Sequence, residues 1–361
     1  MARRTARLME DSSRALDAYE DVDGDWTYLF DLAQGDTILR PSTAGKIPLD
    51  EWMKYIPDEL SLSMVSIPGT HNSCARLPVP WVQCQSDTLT EQLHMGIRYF
   101  DFRLGISFKI LRVYHGGSPL SVTFADAVKE LYDFLKDHPS EAAMLQIKHE
   151  GTDRNDALFE ELMRREIDEH ISYWRLGTMI PTLGAIRGGI QLMRRYHLSN
   201  PYDSLGIDVR RWADNSARFW IPVPPRPSHL MVQDEYRFTN VAKTFSELIQ
   251  RKTEVIRFLM NEAQFTDTDF SRHGWYLNWC NAFAEPFSLG VIATPKQIAL
   301  GQEGETGVNE IVRASIEKAR SSGEKIRVGT ILLDFVDVDD PRVVQEVVLC
   351  NEFLEVPSGW I

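Results

Sequence analysis

The sequence predicts an α/β protein whose single catalytic domain is an irregular TIM-type (β/α) barrel. Short apolar strand patterns alternate with amphipathic helix patterns from Leu62 onward, and such alternation is typical of parallel sheets. About seven of these strand-and-helix units extend over roughly 300 residues, a length that suits a barrel. Polar residues follow the carboxyl end of nearly every predicted strand, where barrel enzymes build their active sites. A doubly wound sheet would not need that last feature.

The individual elements follow from local patterns. The predicted strands are short runs bounded by turn residues: Ser63–Ile67, Tyr99–Arg103, Leu111–Gly117, Ala143–Lys148, Gly189–Arg195, His229–Gln233, Trp275–Trp279 and Val328–Phe335. The predicted helices carry apolar residues at helical spacing: Phe124–Lys136, Asn155–Arg165, Val241–Glu262, Asn309–Arg320 and Val343–Asn351. Residues 1–54 are acidic and show no strand periodicity, so we predict an N-terminal extension at 1–54 and the barrel domain at 55–361.

Composition and charge exclude several classes of function. The chain has 361 residues, of which 43% are hydrophobic, so it can bury one large core. A net charge of -13 argues against nucleic-acid binding and against attraction to anionic membranes by bulk charge. No apolar stretch approaches the length of a membrane span. Any contact with lipid should therefore be local and largely apolar.

Two histidines, one acid and one arginine form a set of residue types suited to phosphodiester cleavage. His71 follows a Pro-Gly-Thr turn at a strand end, and His115 ends a strand just before two glycines. Asp101 and Arg103 lie on one face of a strand, because side chains at i and i+2 point the same way. Each histidine can act as acid or base near neutral pH, and an arginine can hold a phosphoryl group at two oxygens.

Seven segments, in order along the chain, resemble the bacterial-type phosphatidylinositol-specific phospholipases C, which are phospholipase C-like phosphodiesterases of the X-domain type. The matching segments are Ile67–Ser73, Arg98–Arg103, Tyr114–Gly117, Phe134–Glu141, Gln191–Tyr196, Val232–Tyr236 and Arg327–Asp334. The resemblance covers the chain from about Leu62 to about Phe353. One such match would mean little, whereas seven in family order indicate a relationship.

The resemblance implies that the chain cleaves phosphatidylinositol to diacylglycerol and inositol 1,2-cyclic phosphate. His71 would be the general base that deprotonates the inositol 2-hydroxyl, and His115 the general acid that protonates the diacylglycerol oxygen. Arg103 would clamp the phosphate, and Asp101 would orient and charge His115. Asp334 would orient His71, as a buried carboxylate fixes an imidazole tautomer.

Asn72 departs from the bacterial pattern, which has an aspartate beside the base. Asparagine at this place is found in the calcium-dependent eukaryotic phospholipases C, where it ligates the metal, so calcium is an alternative. Arg103 argues against calcium, because the metal-dependent relatives carry a carboxylate at its position. We therefore expect no cofactor and no metal at the catalytic site.

Four further residues match the family positions that hold inositol: Lys148, Arg195, Asp234 and Tyr236. Asp234 and Tyr236 are predicted to share one strand face, so that a carboxylate accepts hydroxyl hydrogens while the ring stacks on the sugar. The alternative for Arg195 and Asp234 is an ordinary ion pair across barrel strands.

Aromatic residues in two segments are predicted to contact the membrane. Trp81 lies in the apolar segment 77–82 shortly after the proposed base, and Phe283 and Phe287 follow the strand that ends at Trp279. Aromatic side chains favour the interfacial zone of a bilayer. Trp279 itself is equally well explained as a core residue.

The remaining histidines are interpreted as structural or solvated, and the four cysteines as thiols, with a Cys74–Cys84 bridge as the alternative. The first residues have no apolar segment after their basic ones, so we expect a cytoplasmic protein, peripheral at phosphatidylinositol membranes, with secretion as the alternative. The competing functions are a related barrel phosphodiesterase on another phospholipid head group and a non-catalytic inositol-lipid-binding protein. The second would be expected to lack a histidine or the arginine, and neither is missing.

Overall fold

The computed structural model describes residues 47–200, 203–238, 242–264, 272–284, 290–302, 304–322, 326–337 and 340–353, all within the compact unit Ser42–Ile361. The strands are β1 (Ile67–Thr70), β2 (Tyr99–Ser107), β3 (Ile110–His115), β4 (Ser118–Thr123), β5 (Ala143–His149), β6 (Trp174–Arg175), β7 (Ile190–Arg195), β8 (Ile207–Asp208), β9 (Phe219–Pro222), β10 (His229–Gln233), β11 (Gly274–Trp279), β12 (Gly301–Gln302), β13 (Glu305–Thr306) and β14 (Thr330–Leu333). The helices are α1 (Leu89–His94), α2 (Phe124–Asp137), α3 (Asp156–Glu169), α4 (Phe245–Gln264), α5 (Pro295–Leu300), α6 (Val308–Ser321) and α7 (Arg342–Val348). Short 3-10 helices lie at Leu49–Tyr55, Leu62–Met64 and Ile171–Tyr173.

The parallel strands curl into a barrel that is open on one side. Their order is β6, β7, β5, β2, β1, β14, β11, β10 and β9, with β8 also on β7 and the hairpin β3–β4 extending from β2. Pairing is parallel from β6 to β10, and β9 joins β10 antiparallel. Within the described ranges no ladder joins β8 to β9, so the barrel is irregular, and the predicted fold class is confirmed.

Alternating residues of the strands separate two apolar layers. Tyr99 and Met144 belong to one buried cluster, whereas their neighbours Phe100 and Leu145 belong to another that includes Phe124 of α2. Because successive strand residues point to opposite faces, the first cluster fills the barrel and the second lies under the helices. The inward face of β2 therefore carries, after Tyr99, the two polar residues of the predicted site.

Strand register aligns three cations near the point where the parallel pairing of neighbouring strands ends. Arg103 of β2 pairs with Lys148 of β5, and Lys148 pairs with Arg195 of β7. Parallel pairing without offset places these side chains in one row at the same end of the barrel. The sheet thus builds a positively charged edge from residues that lie more than forty positions apart in sequence.

Several predicted boundaries are displaced, because local conformation ends the strands. The strand expected at Ser63–Ile67 begins only at Ile67, since Ser61 caps a 3-10 helix by accepting a hydrogen bond from the Ser63 amide. The last strand is shorter than predicted, because Gly329 (φ +70°) and Phe335 (φ +48°) adopt left-handed conformations that cannot continue an extended chain. The helix predicted from Val241 begins at Phe245.

The predicted domain boundary at residue 54 lies too late in the chain. The 3-10 helix Leu49–Tyr55 buries Trp52 and Met53 completely, and both belong to the cluster that fills the barrel. The indole N–H of Trp52 also donates a hydrogen bond to the carbonyl of Gly96 (2.9 Å). Residues 47–54 are therefore part of the barrel, and residues 1–46 lie outside the described part of the chain.

Two further expectations concern membrane spans and cysteines. Among the helices that the structure describes, none combines the length and hydrophobicity of a transmembrane helix. The four cysteines are free thiols, so the alternative Cys74–Cys84 bridge is wrong.

Candidate active site

A cavity of about 480 Å³ opens at the carboxyl end of the parallel strands. Ten of the predicted site residues line it: His71, Trp81, Arg103, His115, Lys148, Arg195, Asp234, Tyr236, Phe283 and Asp334. Two more, Asn72 and Asp101, are buried and hydrogen-bond to one another beneath it. Phe287 lies outside the described residues. The residues chosen from sequence thus converge on one cavity, at the end of the barrel where such sites are built.

His71 and Asp334 directly follow the ends of two paired strands. Thr70 of β1 pairs with Leu333 of β14. His71 comes after Thr70 and Asp334 after Leu333, so the two side chains are neighbours. The two side chains are buried, and His71 Nδ1 lies 2.8 Å from Asp334 Oδ1. The predicted partnership is therefore present in the structure.

The hydrogen bonds of His71 define its tautomer. Arg103 Nη2 lies 2.9 Å and Asn72 Nδ2 lies 3.0 Å from His71 Nε2. A guanidinium can only donate, so Nε2 must accept, and the ring proton is on Nδ1, where it is donated to Asp334. This tautomer presents a lone pair to the cavity, as a general base requires.

Electrostatics keep His71 neutral. Burial and the charge of Arg103 hold the pKa of His71 well below its usual value, although Asp101 acts in the opposite direction. Burial raises the pKa of Asp334, while His115 and Arg103 act to lower it. The Trp279 ring packs edge-on against His71, with 5.7 Å between centroids, and adds to the burial. A neutral imidazole can accept a proton at neutral pH.

His115 approaches the same cavity from the β3–β4 hairpin. Its ring lies 6.5 Å from that of His71 and perpendicular to it. Its Nδ1–H donates to the Val82 carbonyl (2.6 Å), so Nε2 is the nitrogen left for proton transfer. Burial and Arg103 lower the pKa of His115, whereas the Val82 carbonyl and Glu150 raise it.

The expected contact between Asp101 and His115 is wrong. Asp101 Oδ2 accepts hydrogen bonds from Arg103 Nε (3.3 Å) and from the Asn72 amide (3.1 Å). His115 is instead held by the Val82 carbonyl, because the loop before α1 crosses close to the hairpin. Asp101 therefore orients Arg103 and the turn that carries His71, and His115 is oriented by the Val82 carbonyl instead.

The row of cations lies next to the two histidines. Asp101, Glu150 and Asp234 hold the pKa of Arg103 above its usual value against the effect of burial. Burial and Arg103 lower the pKa of Lys148, and Glu150 bridges these two cations at 3.7 and 3.5 Å. A cavity with this charge suits an anionic ligand such as a phosphodiester.

The far side of the cavity combines an aromatic face with a carboxylate. The guanidinium of Arg195 lies 4.4 Å from the ring centroid of Trp212, whose N–H donates to Asp234 Oδ2 (2.6 Å). Burial raises the pKa of Asp234 to about 6. Trp212 therefore connects Arg195 to Asp234, whose opposite charges also attract each other. Tyr236 donates from its hydroxyl to Asp214 Oδ2 (2.9 Å).

Asp234 and Tyr236 reach the cavity from a loop, so their predicted location on one strand is wrong. Strand β10 ends at Gln233. Beyond it the backbone amides of Glu235 and Tyr236 donate to the side chains of Gln233 and Asn215 rather than to a neighbouring strand. Side-chain acceptors thus replace the sheet ladder and direct this segment across the cavity.

Two of the residues predicted to contact the membrane, Trp81 and Phe283, line the cavity. Trp81 has a φ of +61° and turns its half-buried ring into the cavity wall, and Phe283 packs against Tyr236 with 5.7 Å between centroids. Exposed apolar surface comes instead from Leu77 (44%) and Val79 (41%) in the same loop as Trp81. Trp279 is buried, which confirms its interpretation as a core residue.

Sequence reasoning missed the cavity residues Glu150 and Asn281, and also Trp212, which contacts the cavity residues Arg195 and Asp234. Glu150 and Asn281 each follow a strand end by one or two positions, so the rule that selected Lys148 could have found them. Asn281 Nδ2 lies 3.4 Å from His71 Nε2. Trp212 lies in a loop between short strands, and nothing in its local sequence distinguishes it from a surface tryptophan.

The chain is similar in sequence to known proteins over most of its length. Residues 59–195 match the family model described as phosphatidylinositol-specific phospholipase C, X domain. The 1-phosphatidylinositol phosphodiesterase of Listeria monocytogenes is 26% identical over 315 residues, which cover 84% of this chain and 85% of that protein. The protein of the same name from Staphylococcus aureus is 26% identical over 326 residues, which cover 84% of this chain and 94% of the relative.

Solved structures show the same fold. The phosphatidylinositol-specific phospholipase C of L. monocytogenes has a TM-score of 0.64 at 23% identity, covering 85% of this chain and 100% of its own. That of S. aureus has a TM-score of 0.68 at 22% identity, covering 86% and 100%. Residues 59–195 therefore carry the X domain of the phosphatidylinositol-specific phospholipases C, and the chain has the barrel fold of the bacterial members of that family.

Proposed function

We propose that this chain cleaves phosphatidylinositol at the glycerol–phosphate bond, giving diacylglycerol and inositol 1,2-cyclic phosphate. The observation that carries the proposal is a pair of neutral histidines whose rings lie 6.5 Å apart, together with the Arg103 guanidinium, which lies 2.9 Å from His71 Nε2 and lowers the pKa of His115. One ring has its lone pair aimed into the cavity, and the other has a free Nε2. An internal displacement at phosphorus needs this pair of proton-transfer groups and a cation for the phosphoryl oxygens.

His71 takes the first proton. Its Nε2 removes the proton of the inositol 2-hydroxyl while that oxygen attacks phosphorus, and Asp334 stabilises the imidazolium that forms. In the structure Arg103 donates to this same Nε2. The substrate phosphate competes for the guanidinium, so binding removes the stronger, charged donor from the lone pair and leaves the Asn72 amide as the nearest donor.

His115 supplies the second proton. A phosphodiester anion bound between His115 and Arg103 offsets the charge that lowers the pKa of His115, so the imidazole gains a proton when substrate binds. Its Nε2–H is then donated to the diacylglycerol oxygen as the bond to phosphorus breaks. The Val82 carbonyl holds Nδ1–H throughout, which keeps Nε2 directed at the leaving group.

Inositol recognition is assigned to the far side of the cavity. Asp234, Tyr236 and Lys148 offer a carboxylate, a hydroxyl and an ammonium for a ring of hydroxyl groups. The Arg195 guanidinium lies over the Trp212 ring, 4.4 Å from its centroid, and this cation–π contact restricts the position of its donors. These groups can bind the sugar while the phosphate lies against Arg103.

The residues around Asn72 do not fit calcium. Its Oδ1 is buried without a hydrogen-bond partner, but its side chain contacts His71 Nε2 and Cys84 Sγ. Calcium takes six to eight oxygen ligands, whereas the nearby carboxylate of Asp101 is already bound to Arg103. We therefore propose that Arg103 supplies the positive charge and that turnover needs no metal.

Access to a membrane substrate is assigned to the loop that carries Leu77 and Val79. Both side chains are exposed beside the cavity residue Trp81, so they can enter the outer part of a bilayer while the head group enters the cavity. A net charge of -13 makes local apolar contact the favourable mode.

Phosphorus NMR of phosphatidylinositol vesicles in excess chelator tests the reaction directly. We expect a cyclic phosphodiester signal with the wild-type chain and with the control His170→Ala, which changes an exposed histidine outside the cavity. The signal should disappear with His71→Ala. Turnover only after calcium is added would overturn the metal-free proposal, and no product under either condition would favour another head group or a binding role.

A further inference from the structure

Three potential metal ligands meet at the end of the barrel opposite the cavity. Asp50 comes from the 3-10 helix Leu49–Tyr55, His94 is the last residue of α1, and His138 is the residue that caps the end of α2. Both helices end just before a parallel strand begins, which places these residues at the amino-terminal face of the barrel. That face generally contributes to stability rather than catalysis.

The three ligand atoms are spaced around a common centre. Asp50 Oδ2 lies 4.0 Å from His94 Nδ1 and 3.8 Å from His138 Nε2, and all three atoms lie within 4.8 Å of one another. These separations are too long for hydrogen bonds. Ligands bound tetrahedrally to zinc at about 2.0–2.1 Å lie about 3.3 Å apart, so small side-chain rotations would close the set around an ion.

One aromatic ring holds both imidazoles. His138 stacks on Phe134 with 4.2 Å between centroids, and His94 packs edge-on against the same ring at 5.5 Å. His138 Nδ1 also donates to the Phe134 carbonyl (3.0 Å), which leaves the Nε2 lone pair facing Asp50. A backbone acceptor on the opposite ring nitrogen is the usual support of a metal-binding histidine.

We propose that Asp50, His94 and His138 bind one divalent ion of the zinc class, with water completing the coordination. Two imidazoles and one carboxylate suit zinc and similar transition metals, whereas calcium and magnesium prefer oxygen ligands alone. Asp50 and His94 are half exposed, so an ion and its water molecules can reach the site from solvent. His138 is more buried and provides the fixed point of the set.

The ion would link the 3-10 helix Leu49–Tyr55 to the ends of two barrel helices. Leu49–Tyr55 carries the buried Trp52, and its first turn is joined by the three ligands to the ends of α1 and α2. A ligand that binds only the folded state stabilises it. The site should therefore raise thermal stability and leave the rate of phosphodiester cleavage unchanged.

Equilibrium dialysis of the full chain with zinc chloride, followed by metal analysis, tests the site. We expect one zinc ion per chain in the wild type and none in His94→Ala or His138→Ala. The control His170→Ala changes a histidine of similar exposure and should keep the ion. With zinc at a hundred times its Kd, the melting temperature should rise by about 5 °C in the wild type and not in His94→Ala.

A second control separates this site from the catalytic histidine. His71, Cys84 and Asp334 are also close enough to hold a metal, so His71→Ala is measured in parallel. Zinc retained in His71→Ala and lost in His94→Ala supports the proposal. The reverse pattern, or no binding by the wild type, overturns it, and so does binding that survives both His94→Ala and His138→Ala.

Discussion

The two histidines of the cavity lie in regions of opposite character. His71 is buried where β1 meets β14, with a carboxylate on one nitrogen and several side-chain donors on the other. His115 is half exposed on the β3–β4 hairpin, and a single backbone carbonyl holds it. The same residue type therefore occupies two different environments in one cavity.

The difference shows how a barrel can divide acid and base functions. In the proposed reaction the base must be neutral and correctly oriented before substrate arrives, which suits the buried position of His71. The proposed acid must gain a proton when the phosphate binds, which suits the more exposed position of His115.

The leaving group distinguishes the two roles most strongly. We expect His71→Ala and His115→Ala each to lower kcat on phosphatidylinositol by about 10⁴-fold, at the upper end of proton-transfer effects. On an inositol phosphodiester with a nitrophenol leaving group, which needs no proton, His115→Ala should regain most of its rate and His71→Ala should not. Equal losses on both substrates in both variants would contradict the division of roles.

Asp334→Asn tests the orientation of the base. An amide that donates to Nδ1 would move the ring proton to Nε2, where Arg103 and Asn72 already donate, so the base would lose its lone pair. We expect kcat to fall by about 10³-fold while the melting temperature changes little. Steady-state kinetics and thermal unfolding, measured together, check this. A loss of activity that parallels a loss of folded protein would indicate a structural role instead.

Arg103→Met should alter both the rate and its pH dependence. Removing a cation that contacts the phosphoryl group should lower kcat by about 10²- to 10³-fold. Arg103 helps to lower the pKa of His71, so its removal raises that pKa, and kcat/KM should begin to fall at a higher pH as the solution is acidified. Lys148→Met, which removes a neighbouring cation of the same row, is the control. It should shift the pH at which kcat/KM falls by less than Arg103→Met does.

Removing the exposed apolar side chains of Leu77 and Val79 should have the smallest effect on activity. We expect the double variant Leu77→Ser/Val79→Ser to lower activity on vesicles by about tenfold, because two apolar side chains no longer enter the bilayer. Activity on a soluble inositol phosphodiester should stay the same. Ile171→Ser removes a side chain of comparable exposure (53%) on a distant 3-10 helix and is the matched control. An equal loss on the soluble substrate would place these residues in the cavity wall.

Much of the fold and the site could be predicted from local patterns. Alternating strand and helix patterns identified the barrel, and residues at strand ends identified His71, Arg103 and Lys148. These succeed because parallel strands bring their carboxyl ends to one edge, so position along the chain translates directly into position in the cavity.

Contacts made by loops could not be predicted in this way. Trp212 connects Arg195 to Asp234, and the Val82 carbonyl rather than Asp101 orients His115. Neither partner lies at a fixed offset from a strand, and no period relates it to the residue it contacts. Likewise, Asp50 approaches His94 and His138 only because the first 3-10 helix packs under the barrel.

The amino-acid sequence by itself determined the barrel, the residue types at its strand ends and thereby the class of chemistry. It also determined that Asp101 and Arg103 share a face, because the two-residue period of a strand is a local property. Only the tertiary structure decided which histidine is buried, which nitrogen carries its proton and which carboxylate meets which cation. Those properties depend on hydrogen-bond donors, acceptors and burial contributed by segments distant in sequence, and packing alone brings them together.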